Sequence, residues 1–164
     1  MTTSETTSSA EHFAAIGKVA SAWAFIEAVI DTYCHELAGI NYFVGVCFTS
    51  QVAGPARKMD ALFALARYKK GDDAVGKTLA KLRERVLSAA ERRNRVVHDT
   101  WSSGDRDPKR FQATARGKVI ADWVDVPTAE LLSLETELAV LADQLEQHFR
   151  GILALPDITH PHTN

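Results

Sequence analysis

The chain has 164 residues, 46% of them hydrophobic and 24% charged, with a formal net charge of −2, so it is long enough to bury one core of ordinary size. That balance excludes a protein coated uniformly in positive charge. Two cysteines, Cys34 and Cys47, are too few and too irregularly spaced for a zinc site or a disulfide framework, and are expected as reduced structural thiols.

Residues 1–10, Met-Thr-Thr-Ser-Glu-Thr-Thr-Ser-Ser-Ala, have neither the basic start nor the apolar run of a signal peptide and are expected to form a disordered tail. A single domain is expected over 11–153, followed by a second disordered tail over 154–164. No apolar stretch looks long enough to span a bilayer, and a cytoplasmic location is expected.

From Phe13 onward, Phe13, Ile16, Ala20, Trp23, Ile30, Cys34 and Leu37 recur in steps of three and four, apart from one seam position held by Glu27. This predicts an amphipathic helix ending near Gly39. Ile40 to Phe48 is apolar and aromatic, and reads as a loop or short extended piece. A second helix is expected from about Pro55 to Tyr68, with Met59, Leu62, Phe63 and Ala66 inward. A third runs from about Asp73 to Val97 through Val75, Leu79, Leu82, Val86 and Ala89, and the same count lands next on Arg93. A fourth starts near Pro127-Thr128 and repeats Leu131, Leu134, Leu138, Leu141, Leu145 and Phe149. Between the third and fourth, the period changes to two around Gly117, with alternation from Val119 to Val126, which predicts a β-hairpin. It either covers a substrate groove, extends a dimer interface, or packs on the helices as a solvated excursion. The fold class that follows is mainly α, an antiparallel four-helix bundle with the hairpin inserted between helices three and four.

Charge is unevenly placed. Residues 81–118 hold eleven Lys/Arg against five Asp/Glu, a local balance of +6 that leaves −8 for the remainder. A phosphate-rich partner would meet that segment first. Two seam positions also carry charge: Glu27 in the first helix and Arg93 in the third. A buried, unpaired carboxylate or guanidinium costs several kcal/mol, so the two are expected to share a polar pocket, the alternative being that Ile26 takes the seam and Glu27 turns outward.

Gly71-Asp-Asp-Ala-Val-Gly-Lys-Thr78 matches the phosphate-binding pattern G-x-x-x-x-G-K-[ST]. A helix rather than a strand is expected before it, however, and its aspartates suit a helix N-terminus better than they suit phosphate. His12, His35 and His148 are isolated on helices, and His160 and His162 fall in the C-terminal tail. None has a metal-ligand spacing; no metal and no cofactor are expected.

The densest chemistry lies in Glu-Arg-Arg-Asn-Arg-Val-Val-His-Asp, residues 91–99. Arginine stays charged and forks onto phosphate, while histidine titrates near neutrality, so the two together suit phosphodiester chemistry. At about 100° per residue, Asn94 and His98 share a helix face while Arg93 stands about 140° from His98. Either the helix ends near Val97 and His98 swings back, or a second copy of the chain completes the site.

The spacing Arg93-Asn94-x-x-x-His98, at the end of a long helix in an α-helical chain, resembles the signature of the HEPN superfamily. That resemblance implies a metal-independent endoribonuclease whose protomers bring their motifs together across a homodimer cleft. Arg93 would bind the scissile phosphate, Asn94 would position it, and His98 would act as general base or acid, leaving a 2′,3′-cyclic phosphate and a 5′-hydroxyl. Glu27, Arg95, Asp99 and Trp101 are candidate supporting or substrate-binding residues. RNA is the implied substrate, with an antitoxin or other regulatory partner if the chain serves a toxin or defence system. The toxin branch often carries tyrosine two residues after the histidine; this chain has Thr100, so nucleotidylation there is not expected. The alternative is a non-catalytic HEPN-like module that binds RNA, a nucleotide or a protein partner.

Overall fold

A computed structural model describes residues 3–71, 73–102, 108–115, 117 and 119–158, with backbone alone at 3–8 and 73. The chain is mainly helical, about 75%, with five helices and a small antiparallel sheet among the described residues. In order these are α1 (Thr3–Ala38), α2 (Tyr42–Thr49), α3 (Pro55–Lys70), α4 (Asp73–His98), β1 (Thr100–Trp101), β2 (Lys109–Thr114), β3 (Ile120–Asp125) and α5 (Thr128–Ala154). The chain divides into two compact units: residues 1–24 with 89–139, and residues 25–88 with 140–164.

In the first unit, α1 contributes Ala15, Val19 and Trp23, α4 contributes Ala89, Ala90 and Val96, and α5 contributes Leu131, Leu134 and Leu138 to the buried core. The sheet has the order β1-β2-β3, so the expected hairpin is joined by a third, two-residue strand. Thr100 pairs with Phe111 and Phe111 with Trp123, while Trp101 pairs with Arg110 and Arg110 with Val124. Residues directly opposite each other share a face, so these are two rows on opposite sides of the sheet. The hairpin turn contains Gly117 at φ 79°, a left-handed conformation that glycine adopts without a Cβ penalty.

In the second unit, Ile26, Ile30, Cys34 and Leu37 of α1 are buried, as are Met59, Leu62 and Ala66 of α3, Val75, Leu79, Leu82 and Val86 of α4, and Leu141, Leu145, Phe149 and Ile152 of α5. Tyr33 lies against Phe149 with ring centroids 4.9 Å apart. The expected stripes of α3, α4 and α5 are therefore the buried ones, although Phe63 is only half-buried.

Several expectations are corrected. Residues 42–49 form helix α2 rather than a loop or extended piece, because Asn41 Oδ1 accepts the Val44 N–H at 3.0 Å and caps the first turn. The stripe of α1 is shifted by one residue in its first half: His12, Ala15, Val19, Trp23, Ile26 and Ile30 are buried, and Phe13 is 43% exposed. Ile26 thus takes the seam and Glu27 is half-exposed, which removes the reason for pairing it with Arg93. Helix α1 is also described from Thr3, within the stretch expected as a tail, and its Ser9–Ala38 part is long and apolar enough to cross a membrane by length and composition, a test that core helices also pass.

Residues 155–158, expected in the second tail, are docked onto α3. The Ile158 N–H donates to the Lys69 carbonyl at 2.7 Å, and the buried Lys70 Nζ donates to the carbonyls of Leu153 and Leu155 and to Asp157 Oδ1. The expected tail histidines, His160 and His162, lie outside the described residues. In the phosphate-loop lookalike, Gly71 caps the C-terminus of α3 at φ 61° and Gly76 lies inside α4, so the segment is a helix-to-helix turn rather than a phosphate loop.

Candidate active site

Helix α4 remains helical through His98, the last residue of its final turn, where the helix dipole favours positive charge. Val96 is buried and holds this end down, while Asn94 and His98 are exposed and Arg93 is half-buried. Arg93 Nη1 lies 3.0 Å from Asn94 Oδ1 and 3.3 Å from His98 Nε2. The expectation that one regular helix cannot bring these two residues together is thereby corrected: the arginine side chain is long enough to cross the angular gap, with Asn94 holding it midway.

This geometry restricts the proton positions. A guanidinium only donates, and the two hydrogens on Nη1 match the two acceptors facing it. The contact with His98 is thus a hydrogen bond when Nε2 carries no proton, which places the ring hydrogen of the neutral imidazole on Nδ1. On the other edge, Nη2 remains for a ligand. Arg93 Nε is buried and has no hydrogen-bond partner among the described residues, and the group stands 6.0 Å from the centroid of the buried Trp23 ring. A buried donor without an acceptor is uncommon and calls for an explanation.

Neighbouring cations are occupied. Arg92 is paired with Glu137 across to α5, and that hydrogen bond raises its already high pKa. Arg95 pairs with Glu91 one turn back, Arg83 with Asp60, Lys109 with Asp125 and Arg110 with Asp99. Arg93 meets no carboxylate among the described residues. Five of the eleven cations in the positive segment read from the sequence are thus paired with carboxylates; Arg106, Arg116 and Lys118 lie outside the described residues.

Of the candidate supporting residues, Arg95 points along its own helix to Glu91, and Asp99 lies 3.6 Å from the mostly buried Arg110, tying the end of α4 to β2. Trp101 Nε1 donates to the Val96 carbonyl at 2.8 Å, and its ring packs edge-on against His12 at 4.9 Å. Both residues brace the helix end. Glu27 is described in the other unit and the residues that meet Arg93 are Asn94, His98 and Trp23. Sequence reasoning passed over His12 and Arg110. His12, 2% exposed, shares a hydrogen bond with the Thr128 hydroxyl at 3.0 Å, and only its place one residue before Phe13 in the true stripe marked it.

On the opposite face of the sheet from Trp101 and Arg110, the row Thr100–Phe111–Trp123 starts two residues after His98. Phe111 and Trp123 have ring centroids 5.2 Å apart, and Trp123 is 45% exposed. The motif itself is a surface site: a cleft of about 230 Å³ in this unit is lined by His12, Pro108, Asp125, Val126, Pro127 and Thr128, without any motif residue.

No family model, curated protein or solved structure matches this chain.

Proposed function

We propose that the chain is a metal-independent endoribonuclease of the HEPN type, acting through Arg93, Asn94 and His98. The observation that supports this reading most is the Arg93 guanidinium, shared between Asn94 and His98 on one edge and meeting no carboxylate among the described residues on the other. A structural arginine half-drawn into a protein normally meets a carboxylate, as its neighbours do. One left open toward an exposed histidine suits an anionic ligand that arrives from solution.

In the proposed reaction, Nη2 of Arg93, on the edge that Asn94 and His98 leave free, donates to the phosphate of RNA. Drawing the guanidinium toward phosphate loosens its bond to His98 Nε2 and frees that lone pair. His98 then accepts the proton of the ribose 2′-hydroxyl, O2′ attacks phosphorus, and the P–O5′ bond breaks. The leaving O5′ takes up a proton from solvent water, His98 returns its proton to solvent, and the products are a 2′,3′-cyclic phosphate and a 5′-hydroxyl. Arg93 opposes the negative charge that grows on the phosphoryl oxygens, and Asn94 fixes the plane of the guanidinium. Trp123 and Phe111 offer aromatic surface for an unpaired base.

The composite homodimer site is part of this reading in modified form: each protomer carries a complete Arg93–His98 couple, and two protomers set two couples against one RNA. An antitoxin or regulatory partner would act by covering them. The α-helical bundle of the family, with its hairpin between the last two long helices, is the corresponding fold proposal.

The test is a substrate with a single 2′-O-methyl group. Cleavage of single-stranded RNA should stop at that linkage and continue at the others, leaving cyclic phosphate ends. Cleavage at the methylated linkage would rule out attack by O2′. Tight RNA binding with no cleavage of any substrate would favour the alternative, a non-catalytic RNA-binding module.

A further inference from the structure

Helix α2 rests on the protein along a single line and turns its other sides to solvent. Only Gly45 of its eight residues is buried. At about 100° per residue, Tyr42 and Phe48 leave the axis about 60° to either side of Gly45, Val44 and Val46 about 100°, and Phe43 and Cys47 about 160°. Phe43, on the outermost line, is 82% exposed, Phe48 64% and Tyr42 61%. The apolar surface thus wraps about 240° of the helix. No charged residue occurs from Leu37 to Ala56. Scattered apolar side chains on a surface are ordinary, but this many on one short uncharged helix mark an interaction surface.

The helix is fixed in this pose, and its polar groups are served from within the chain. A Cβ at Gly45 would come within 2.3 Å of the His35 ring, so the backbone lies directly on that ring. Thr49 Oγ1 donates to the Gly45 carbonyl at 3.3 Å, which makes it the acceptor for His35 Nε2 at 3.1 Å. At the first turn Asn41 Oδ1 accepts the Val44 N–H. At the last, the Ser50 N–H donates to the Val46 carbonyl at 3.1 Å and the Gln51 N–H to the Phe48 carbonyl at 3.0 Å. The Cys47 thiol donates to the Phe43 carbonyl at 3.3 Å. A short helix capped at both ends in this way can enter a phase that offers no hydrogen bonds, where each unsatisfied backbone group is costly.

We propose that α2 docks this chain onto a neutral phospholipid surface, lying in the membrane plane with Phe43 and Cys47 deepest and Tyr42 and Phe48 on its flanks. Area and shape select lipid as the occupant. A flat protein surface meets only the outermost line, where Phe43 offers about 200 Å², well below the roughly 800 Å² per side of a stable interface. Fluid acyl chains close around a helix from all its free sides, so the whole 240° leaves water at once. A grooved protein partner would bring a polar rim to the flanks of α2, and the side chains from Tyr42 to Phe48 offer that rim no charge or amide to pair with. Interfacial helices bind in proportion to their buried apolar area, and without charge on α2 the attraction does not rest on anionic headgroups. This surface goes beyond the ribonuclease reading and does not depend on it.

Flotation of the full chain with phosphatidylcholine vesicles, at physiological and at high salt, tests this, with Phe43→Glu and Phe48→Ser as variants. The wild type should float with the vesicles at both salt concentrations. Phe43→Glu should lower the partition coefficient by roughly 10-fold or more, the loss expected when one phenyl ring no longer leaves water, and Phe48→Ser should lower it in the same direction. Circular dichroism and melting in the absence of lipid should be unchanged, since neither side chain is buried in the protein. Exposed Cys47 supplies a second readout, Cys34 being buried: an environment-sensitive fluorophore there should shift its emission to the blue on adding vesicles and be quenched by spin-labelled acyl chains. A wild type that does not float, or a Phe43→Glu chain that floats as well as wild type, overturns the proposal. So does flotation that needs anionic lipid and disappears at high salt, which would assign binding to charges elsewhere. Shielding of Cys47 by rising protein concentration in a chain that ignores vesicles would give the patch to a second copy and overturn it too. The readout is partition rather than cleavage, so the result stands whichever way the ribonuclease assay falls.

Discussion

Lys70 and Arg93 are both drawn away from bulk water at or near the ends of helices, and they differ in what meets them. Lys70, in the second unit, has its Nζ met by the carbonyls of Leu153 and Leu155 and by Asp157, so the ammonium acts as a clasp for the segment that follows α5. Arg93, in the first unit, has one edge met by Asn94 and His98 and a buried Nε met by nothing among the described residues. A cation whose acceptors all come from its own protein has no capacity left for a ligand, whereas one with an open edge retains it. Removing each should therefore have opposite consequences.

Arg93→Ala should reduce RNA cleavage by about 100-fold or more, the scale seen when one charge-stabilising donor is lost, while melting moves little because an unsatisfied donor leaves with the side chain. Lys70→Ala should do the reverse. It leaves the Leu153 and Leu155 carbonyls without their donor and Asp157 with only the more distant Lys69, and should lower stability by roughly 1–3 kcal/mol in denaturant titrations, with cleavage per folded molecule unchanged. Comparable loss of activity in both variants would dissolve the distinction.

The patterns that were legible and those that were not separate on physical grounds. The stripes of α3, α4 and α5 could be read because their inward positions are almost all aliphatic or alanine; Arg93 stood out as the departure from one of them. The stripe of α1 was misplaced by one residue because its first buried member is His12, a polar side chain that is satisfied by Thr128 and packed on Trp101, and periodicity of apolar residues cannot register it. Helix α2 was invisible as a helix because it has no polar face to alternate with, its one inward residue being a glycine. Asn41, which caps its first turn, carries a local signal that apolar periodicity does not register. The Arg93–His98 contact was missed because angular position on a helix describes where side chains leave the axis, not how far a long one reaches.

Gly45→Ala sharpens the account of α2. The added methyl has no space against the His35 ring, so a loss of about 1–3 kcal/mol is expected, the usual range for overpacking, with release of the whole patch from its fixed position. A neutral Gly45→Ala would mean that α2 is not seated there.

Smaller effects should follow the two titrating groups. The hydrogen bond from Lys70 holds the Asp157 carboxyl below its ordinary range, with the charges of Lys70 and Lys69 adding to it. A depressed folded value means that the stabilisation is present above the unfolded aspartate pKa and is lost as pH falls through the lower folded one. The protection of the Ile158 amide, whose N–H is bonded to Lys69, relative to the unfolded chain at the same pH should therefore fall on acidification more in wild type than in Asp157→Asn. Burial, with help from Asp31, pushes the Cys34 thiol up to about 12, so a thiol reagent at mildly alkaline pH should modify Cys47 and leave Cys34 intact until the chain unfolds.

The most direct test of the Arg93–His98 couple is cleavage of a fluorescent single-stranded RNA in excess chelator by wild type, Arg93→Lys and His98→Ala, each matched for melting temperature. Wild type should cleave without added metal, His98→Ala should lose about 100-fold to 10,000-fold of that rate as expected for a missing general acid–base, and Arg93→Lys should fall well below wild type because lysine keeps the charge but not the fork. Equal cleavage by all three proteins would contradict the assignment.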